Sequence, residues 1–380
     1  MERYDVLVVG GGIFGCYAAL YLAGQGRKVC LIEREQELFR KASLVNQARL
    51  HGGYHYPRSF ATAAMSDEHK ERFTSEHRAF IHTTFDKYYA IDRYGSFTDP
   101  MQFERFCERL HIRCERVKDQ SLFNFNRLEA VYLTEEYTFD PVLLSAWYIG
   151  RVEASPDIEL LRATEVAGAE ASGTAWQVTL QSTLDIGQQR EIEADMVINA
   201  TYCATNAVNR IFGVGELQLT HEISEIGFIR SEQFANKGLT VMDGPFGSIM
   251  PYGKSGLLSL SSVAYTHHKI SYDNLPHFDC QLAEDRSCTP EGPGICTTCE
   301  RRPASNARKM LSQMQQYFAP QVTFEYWFSY FTIKSKLKAS YIDDGRPTEI
   351  SRLRETPLFF CLFAGKINSV YEVEKVVGRS

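Results

Sequence analysis

Near its start the chain reads Asp5-Val-Leu-Val-Val-Gly-Gly-Gly-Ile-Phe-Gly-Cys-Tyr-Ala-Ala-Leu, and this run limits what the rest can fold into. Val6 to Val9 form a short, continuously apolar segment, the pattern of a strand buried on both faces of a parallel sheet. Gly10, Gly12 and Gly15 then spell G-x-G-x-x-G, and Phe14 to Ala23 reads as a helix. In such a unit the first glycine permits the tight turn and the second lets the backbone approach a pyrophosphate. The third lets helix and strand pack closely, and free N–H groups of the helix N-terminus, including those of Ile13 and Phe14, receive the phosphate charge. A second strand, Lys28-Val-Cys-Leu-Ile, ends at Glu33 and Arg34, where a carboxylate is placed to accept from ribose hydroxyls. Glu33 would repel the 2′-phosphate of NADP, which leaves FAD and NAD.

The competing reading is a membrane helix, because Val6 to Gly24 carries no charge over about one bilayer thickness. Five glycines and the β-branched start argue against it. No later stretch is long and apolar enough to span, and no signal-peptide cleavage pattern follows. A net charge of −6 gives no reason to expect nucleic acid or an anionic membrane as partner. Ten cysteines without an export signal are expected to be reduced thiols or metal ligands in a cytoplasmic protein.

After Glu33 comes Ser43-Leu-Val-Asn46-Gln47-Ala-Arg49-Leu50-His51-Gly52-Gly-Tyr54-His55-Tyr56, a stretch without helical or strand period that concentrates histidines, tyrosines and adjacent glycines. Directly after a dinucleotide-binding unit, such a loop is placed to run under the cofactor. Together, G-x-G-x-x-G…Glu33 and Asn46-Gln-x-Arg-x-His-Gly-Gly-Tyr resemble the D-amino-acid-oxidase-like family of FAD-dependent oxidoreductases. The resemblance implies that Ser43 meets the phosphate region and that Asn46 through Gly53 line the isoalloxazine. It makes His51 the position where some relatives attach flavin covalently, although noncovalent FAD is expected here.

Further along, Val166 matches the family position whose backbone contacts adenine, and Val197-Ile-Asn-Ala200-Thr201 the strand returning to the nucleotide sheet. Gly365-Lys366-Ile367-Asn368, near the C-terminus, resembles the turn and helix start facing the flavin pyrimidine. Arg346-Pro347 resembles the Arg-Pro element that grips a substrate carboxylate in amino-acid and hydroxy-acid oxidising relatives; a surface turn neutralised by Asp343 or Asp344 is the alternative.

The expected architecture is α/β. Residues 1–60, 140–215 and 340–380 would form a Rossmann-like FAD-binding domain. Residues 61–139 and 216–339 would form an inserted substrate domain on a mixed, largely antiparallel sheet. Residues 59–85 read as a long amphipathic helix, Asp99-Pro100 as a capped helix start, and Phe139-Asp140-Pro141 as the start of a further helix.

One segment falls outside the resemblance. At about 277–303, Cys280, Cys288, Cys296 and Cys299 lie in a Pro/Gly-rich stretch with few large apolar residues. A four-thiolate structural zinc site would order it; free thiols, a redox disulfide or an iron–sulfur cluster are the alternatives.

The expected activity is oxidation of a CH–NH or CH–OH group in a small substrate, an amino acid or 2-hydroxy acid, with oxygen or a quinone as the final acceptor. His51 or His55 would act as base, and Tyr54 and Tyr56 would orient substrate. Two rivals stand beside it: a flavin monooxygenase using NAD(P)H, and a flavoenzyme acting on a macromolecule-attached substrate docked through the Cys-rich segment.

Overall fold

The computed structural model of the chain describes residues 1–55, 57, 69–282, 287–338 and 348–377. Strand β1 (Glu2–Val9) leads through the glycine turn into helix α1 (Ile13–Ala23) and then strand β2 (Val29–Ile32), which pairs with β1 in parallel. Both apolar strands are buried in the centre of an eight-stranded sheet. β1 lies between β2 and Gln189–Asn199, all three parallel, and β2 pairs in parallel with Ile158–Leu161. Leu358–Phe363 adds to the far side of Gln189–Asn199, so the two ends of the sequence are separated by one strand.

The ends also touch outside the sheet. Tyr17 of α1 donates to Glu374, its ring lies 5.4 Å from that of Tyr371, and Arg72 pairs with Glu374 at 2.7 Å.

The second sheet has nine strands, and its backbone is the antiparallel pairing of Leu219–Arg230 with Glu325–Leu337. One parallel neighbour pair, Asp86–Asp92 with Lys237–Met242, makes it mixed. A three-stranded patch joins the flavin-type loop to the rest: Arg49–Leu50 and Ile81–His82 both pair with Tyr137–Phe139.

That patch corrects the expected helix over 59–85. Of the described residues, helix runs only over Lys70–Glu76; a single 3₁₀ turn, Arg78–Phe80, then releases the chain into the Ile81–His82 strand. Pairing with Tyr137–Phe139 overrides the apolar spacing, which continued past residue 77 without a backbone reason to stop.

Both helices form, the first capped as read and the second capped by Asp140. Asp99 closes a reciprocal capping box with Gln102 ahead of Pro100–Leu110. Asp140 starts Pro141–Ala154 by accepting from Val142 N and Leu143 N, each at 3.0 Å, and also from Lys254 N at 2.9 Å. Lys254 is thereby tied to this helix start, its ammonium donating to the Ala79 carbonyl. Because Asp140 is buried and serves three donors, Asp140→Ala is expected to lower stability by about 1–2 kcal/mol, measured by urea unfolding.

Candidate functional site

A cavity of about 1290 Å³ opens between the two sheets. That exceeds the usual volume of a small-metabolite pocket, roughly 300–1000 Å³.

Its first part is the glycine turn. Gly10 has φ +107°, which L side chains rarely adopt, and a Cβ on Gly15 would fall 1.8 Å from the Gly10 carbonyl oxygen. Gly15 therefore packs helix to strand and does not line the cavity, whereas Gly10, Gly12, Ile13 and Phe14 do. Ser43 bends back so that its hydroxyl accepts from Ile13 N at 3.1 Å. Glu33 accepts from Gly11 N at 2.7 Å and Glu35 N at 2.9 Å, which fixes the carboxylate beside the turn. Arg34 pairs with Glu165 at 3.0 Å, next to Val166. Glu33, Arg34, Val166, Ala200 and Thr201 all face the same space.

The second part is the loop after β2. Asn46, Gln47, Arg49, His51 and His55 line it, with Gly365, Lys366, Ile367 and Asn368 from the C-terminal turn. That turn is 3₁₀ over Ile367–Tyr371 before the short final helix, Glu372–Val377. Gln47 donates to Ser261 Oγ at 2.7 Å. Leu50 and Gly52 are not at the cavity: Leu50 is fully buried in the nucleotide-side core, and Gly52 lies against the Glu135 carbonyl.

Tyr54, expected to orient substrate, is instead a packing residue. It is 1% exposed, stacks on Tyr89 at 5.4 Å, and spends its hydroxyl on the Arg113 carbonyl at 2.9 Å. The bend and turn over Gly53–His55, with Gly53 at φ +88°, turn it away from the cavity that His51 and His55 line. Tyr56 and the Arg346-Pro347 element lie outside the described residues.

The residue the sequence did not disclose is Glu136. Its side chain is fully buried, and its carboxylate lies 3.6 Å from Arg49 Nε and 3.7 Å from His51 Nδ1. It also accepts from Tyr89 Oη at 3.1 Å and Gly52 N at 3.3 Å. The pairing of Arg49–Leu50 with Tyr137–Thr138 brings the two segments together. Burial alone would raise its pKa, but Arg49, His51 and Lys87 outweigh that and hold it far below the ordinary carboxylate range.

Arg49 donates through Nη2 to Thr240 and Ser248, at 3.0 and 2.5 Å, while Nη1 has no partner among the described residues. Burial lowers the pKa of His51, opposed in part by Glu136, so its imidazole is neutral at pH 7. Burial likewise drives Lys87, which donates to Thr240 at 2.5 Å, well below its usual value. On the opposite wall Lys336 and His267 share Glu222, at 2.8 and 2.9 Å, and Lys334 lines the same space.

The four thiols do not form the expected zinc site. Among the described residues no group of three or more His, Cys, Asp or Glu could hold a metal ion. Cys280 and Cys296 pack instead with Cys203, Phe278, Phe331 and Ile333, while Cys288 lies against Gly294. All are free thiols. No described helix is long and apolar enough to cross a membrane.

The residues fit FAD. A dinucleotide needs backbone without side chains at the pyrophosphate, a carboxylate at the ribose and a cavity continuing to a flat ring. The glycine cradle, Glu33 and the 1290 Å³ space provide these in one connected site.

Known proteins bear this out. The sequence matches the family described as DAO, FAD dependent oxidoreductase, over residues 5–258. It is 24% identical to the FAD-dependent monooxygenase FPY4 of Fusarium mangiferae, covering 98% of this chain and 89% of that protein. Its fold is similar to dithionite-reduced L-alpha-glycerophosphate oxidase from Mycoplasma pneumoniae with FAD bound, at TM-score 0.71 and 16% identity over 100% and 94% of the two chains. It is also similar to glycine oxidase from Geobacillus kaustophilus, at TM-score 0.67 and 15% identity with the same coverage. The chain belongs to the DAO family of FAD-dependent oxidoreductases, with a Rossmann-like FAD domain and a largely antiparallel second sheet.

Proposed function

We propose that this enzyme oxidises a CH–OH or CH–NH group of a small anionic molecule, an amino acid or 2-hydroxy acid, with His51 as base. The observation that carries this is Arg49 and His51 on the cavity wall, with the buried Glu136 behind them at 3.6 and 3.7 Å. FAD, when bound, accepts the electron pair of the broken C–H bond.

The protein's share is placement and charge. Arg49 presents a fixed cation with a spare Nη1 donor, suited to one carboxylate oxygen. Glu136 offsets that charge, so the cation can be buried at all. It also lies on the Nδ1 side of His51. A neutral imidazole takes the hydroxyl proton as the C–H bond breaks; an amine substrate bound unprotonated needs no such base. His55 lines the same wall, 5.0 Å ring to ring from Phe246, and would contact substrate. Lys334 lines the same space and favours an anion, while Lys336 and His267 are paired with Glu222.

The pH dependence follows from the base. His51 must be neutral to act, and its pKa lies below 6.5. For an alcohol substrate, kcat/KM is therefore expected to be flat around pH 7 and to fall as pH drops through that lower value. A stopped-flow pH series reads this directly, and a profile still rising between pH 7 and 8 would remove His51 from the role.

The substrate class is tested by anaerobic mixing with amino acids and 2-hydroxy acids while following the flavin absorbance. Bleaching by members of one class supports the proposal; no bleaching by any contradicts it. One observation favours a second reading: similarity to monooxygenase FPY4 extends over 98% of the chain. NAD(P)H consumption by the purified protein, with bleaching by NAD(P)H alone, would select that reading.

A further inference from the structure

The Cys-rich insertion is left without a role once its thiols are seen not to gather around a metal. Its position supplies one. Thr289, Glu291, Gly292 and Pro293 line the same cavity as the glycine turn. Gly292 sits directly on the guanidinium of Arg34: an added Cβ would lie 2.9 Å from Nε and 3.0 Å from Cζ. Arg34 in turn pairs with Glu165, beside Val166, so this contact marks the adenosine part of the site. Lys41 Nζ, also on the cavity wall and paired with Glu35 at 2.8 Å, donates to the Pro293 carbonyl at 2.7 Å. Pro293 is buried although the stretch around it has no regular structure.

The tip has a defined shape. Thr289 N donates to Gly292 O at 3.2 Å, and Gly292 N donates to Thr289 Oγ1 at 2.9 Å, which closes a tight turn. Behind it the insertion is pinned to the long strand of the second sheet. Thr297 Oγ1 exchanges hydrogen bonds with Phe331 O and N, both at 3.0 Å, and Cys280 and Cys296 pack against Phe331 and Ile333. The insertion thus spans from one sheet to the cofactor-binding edge of the other.

We infer that residues 289–293 of the Cys-rich insertion form a clamp over the adenosine and pyrophosphate half of bound FAD, closing the cavity on the side that the glycine turn leaves open. This rests on the FAD assignment above. Two contacts hold the clamp shut: the Gly292 backbone against the Arg34 guanidinium, where a Cβ fits only if that flexible side chain shifts, and the Lys41 tether. Cys280 and Cys296 are part of its packing, small apolar groups that help to order a loop poor in large side chains. The function assigned is retention of the cofactor rather than chemistry on it.

The test is the rate of FAD release and the FAD dissociation constant, read by flavin fluorescence on apo-protein reconstituted with FAD. Gly292→Val displaces the Arg34 guanidinium from the turn, breaking this contact, and is expected to raise both by about tenfold or more. Thr289→Val removes only the acceptor for Gly292 N and is expected to raise them about threefold, which guards against a valine variant that fails to fold. Glu300→Ala, at an exposed position of the same insertion, should match the parent. Parent, Gly292→Val and Thr289→Val proteins that release FAD at one common rate would overturn the clamp. A parent protein that takes up no FAD would instead overturn the cofactor assignment on which it stands.

Discussion

His51→Asn is expected to lower the rate of substrate-driven flavin reduction by about 10²–10⁴ for an alcohol substrate, the usual contribution of a positioned base. The protein should still bind FAD, because the glycine cradle, Glu33 and Ser43 do not involve residue 51. Asparagine is chosen because it approximates the imidazole's polar reach without titrating near neutrality. With an amine substrate the same variant should lose far less, since an unprotonated nitrogen supplies its own electron pair. Rapid-mixing measurements with both substrate classes separate the two cases. Equal, small losses for both would show that His51 only fills space.

Glu136→Leu should cost more stability than any other single change in the site. The side chain is fully buried, and its removal leaves the Arg49 guanidinium, 1% exposed, without its counter-charge. Breaking a buried ion pair from one side typically costs about 3–5 kcal/mol, a large fraction of the stability of a domain. Tyr89 Oη and Gly52 N lose their acceptor in the same step. Glu136→Gln keeps an acceptor for those donors but removes the charge, so a smaller loss is expected in urea unfolding. Its effect on catalysis has a definite sign. Glu136 raises the His51 pKa against the burial that lowers it. Removing the charge lets that pKa fall further, and the acid limb of kcat/KM should move to lower pH. A limb that stays in place or moves upward would show that Glu136 does not act on His51.

The parts of this protein that were legible in its sequence are those where backbone geometry dictates residue type over a short span. Gly10 and Gly15 had to be glycine because of a positive φ and a Cβ that would lie 1.8 Å from a carbonyl, and a Cβ on Gly12 would lie 2.9 Å from Ser43 Oγ. Asp99 with Gln102, and Asp140 before Pro141, declared helix starts by local hydrogen bonding.

What stayed hidden depends on contacts between distant segments. Glu136 sits in Thr134-Glu135-Glu136-Tyr137, where two adjacent acids look like an ordinary exposed turn. Only strand pairing brings it 3.6 Å from Arg49. Tyr54 looked like its neighbours His51 and His55, yet the turn that follows Gly53 packs it against Tyr89 instead. The thiols were misread because spacing suggested chelation. Cys280 and Cys296 face Cys203 and Phe331 instead, partners in other parts of the chain.

The central claim is that one FAD lies between the two ends of the sequence, its phosphates on the glycine turn after β1 and its ring beside Arg49, His51 and the Gly365–Asn368 turn. Titration of the apo-protein with FAD, followed by flavin fluorescence and by the visible spectrum of the isolated complex, tests it most directly. The expected result is saturation at one FAD per chain, with a bound-flavin spectrum that survives gel filtration. A protein that stays colourless and leaves the fluorescence of added FAD unchanged would contradict it.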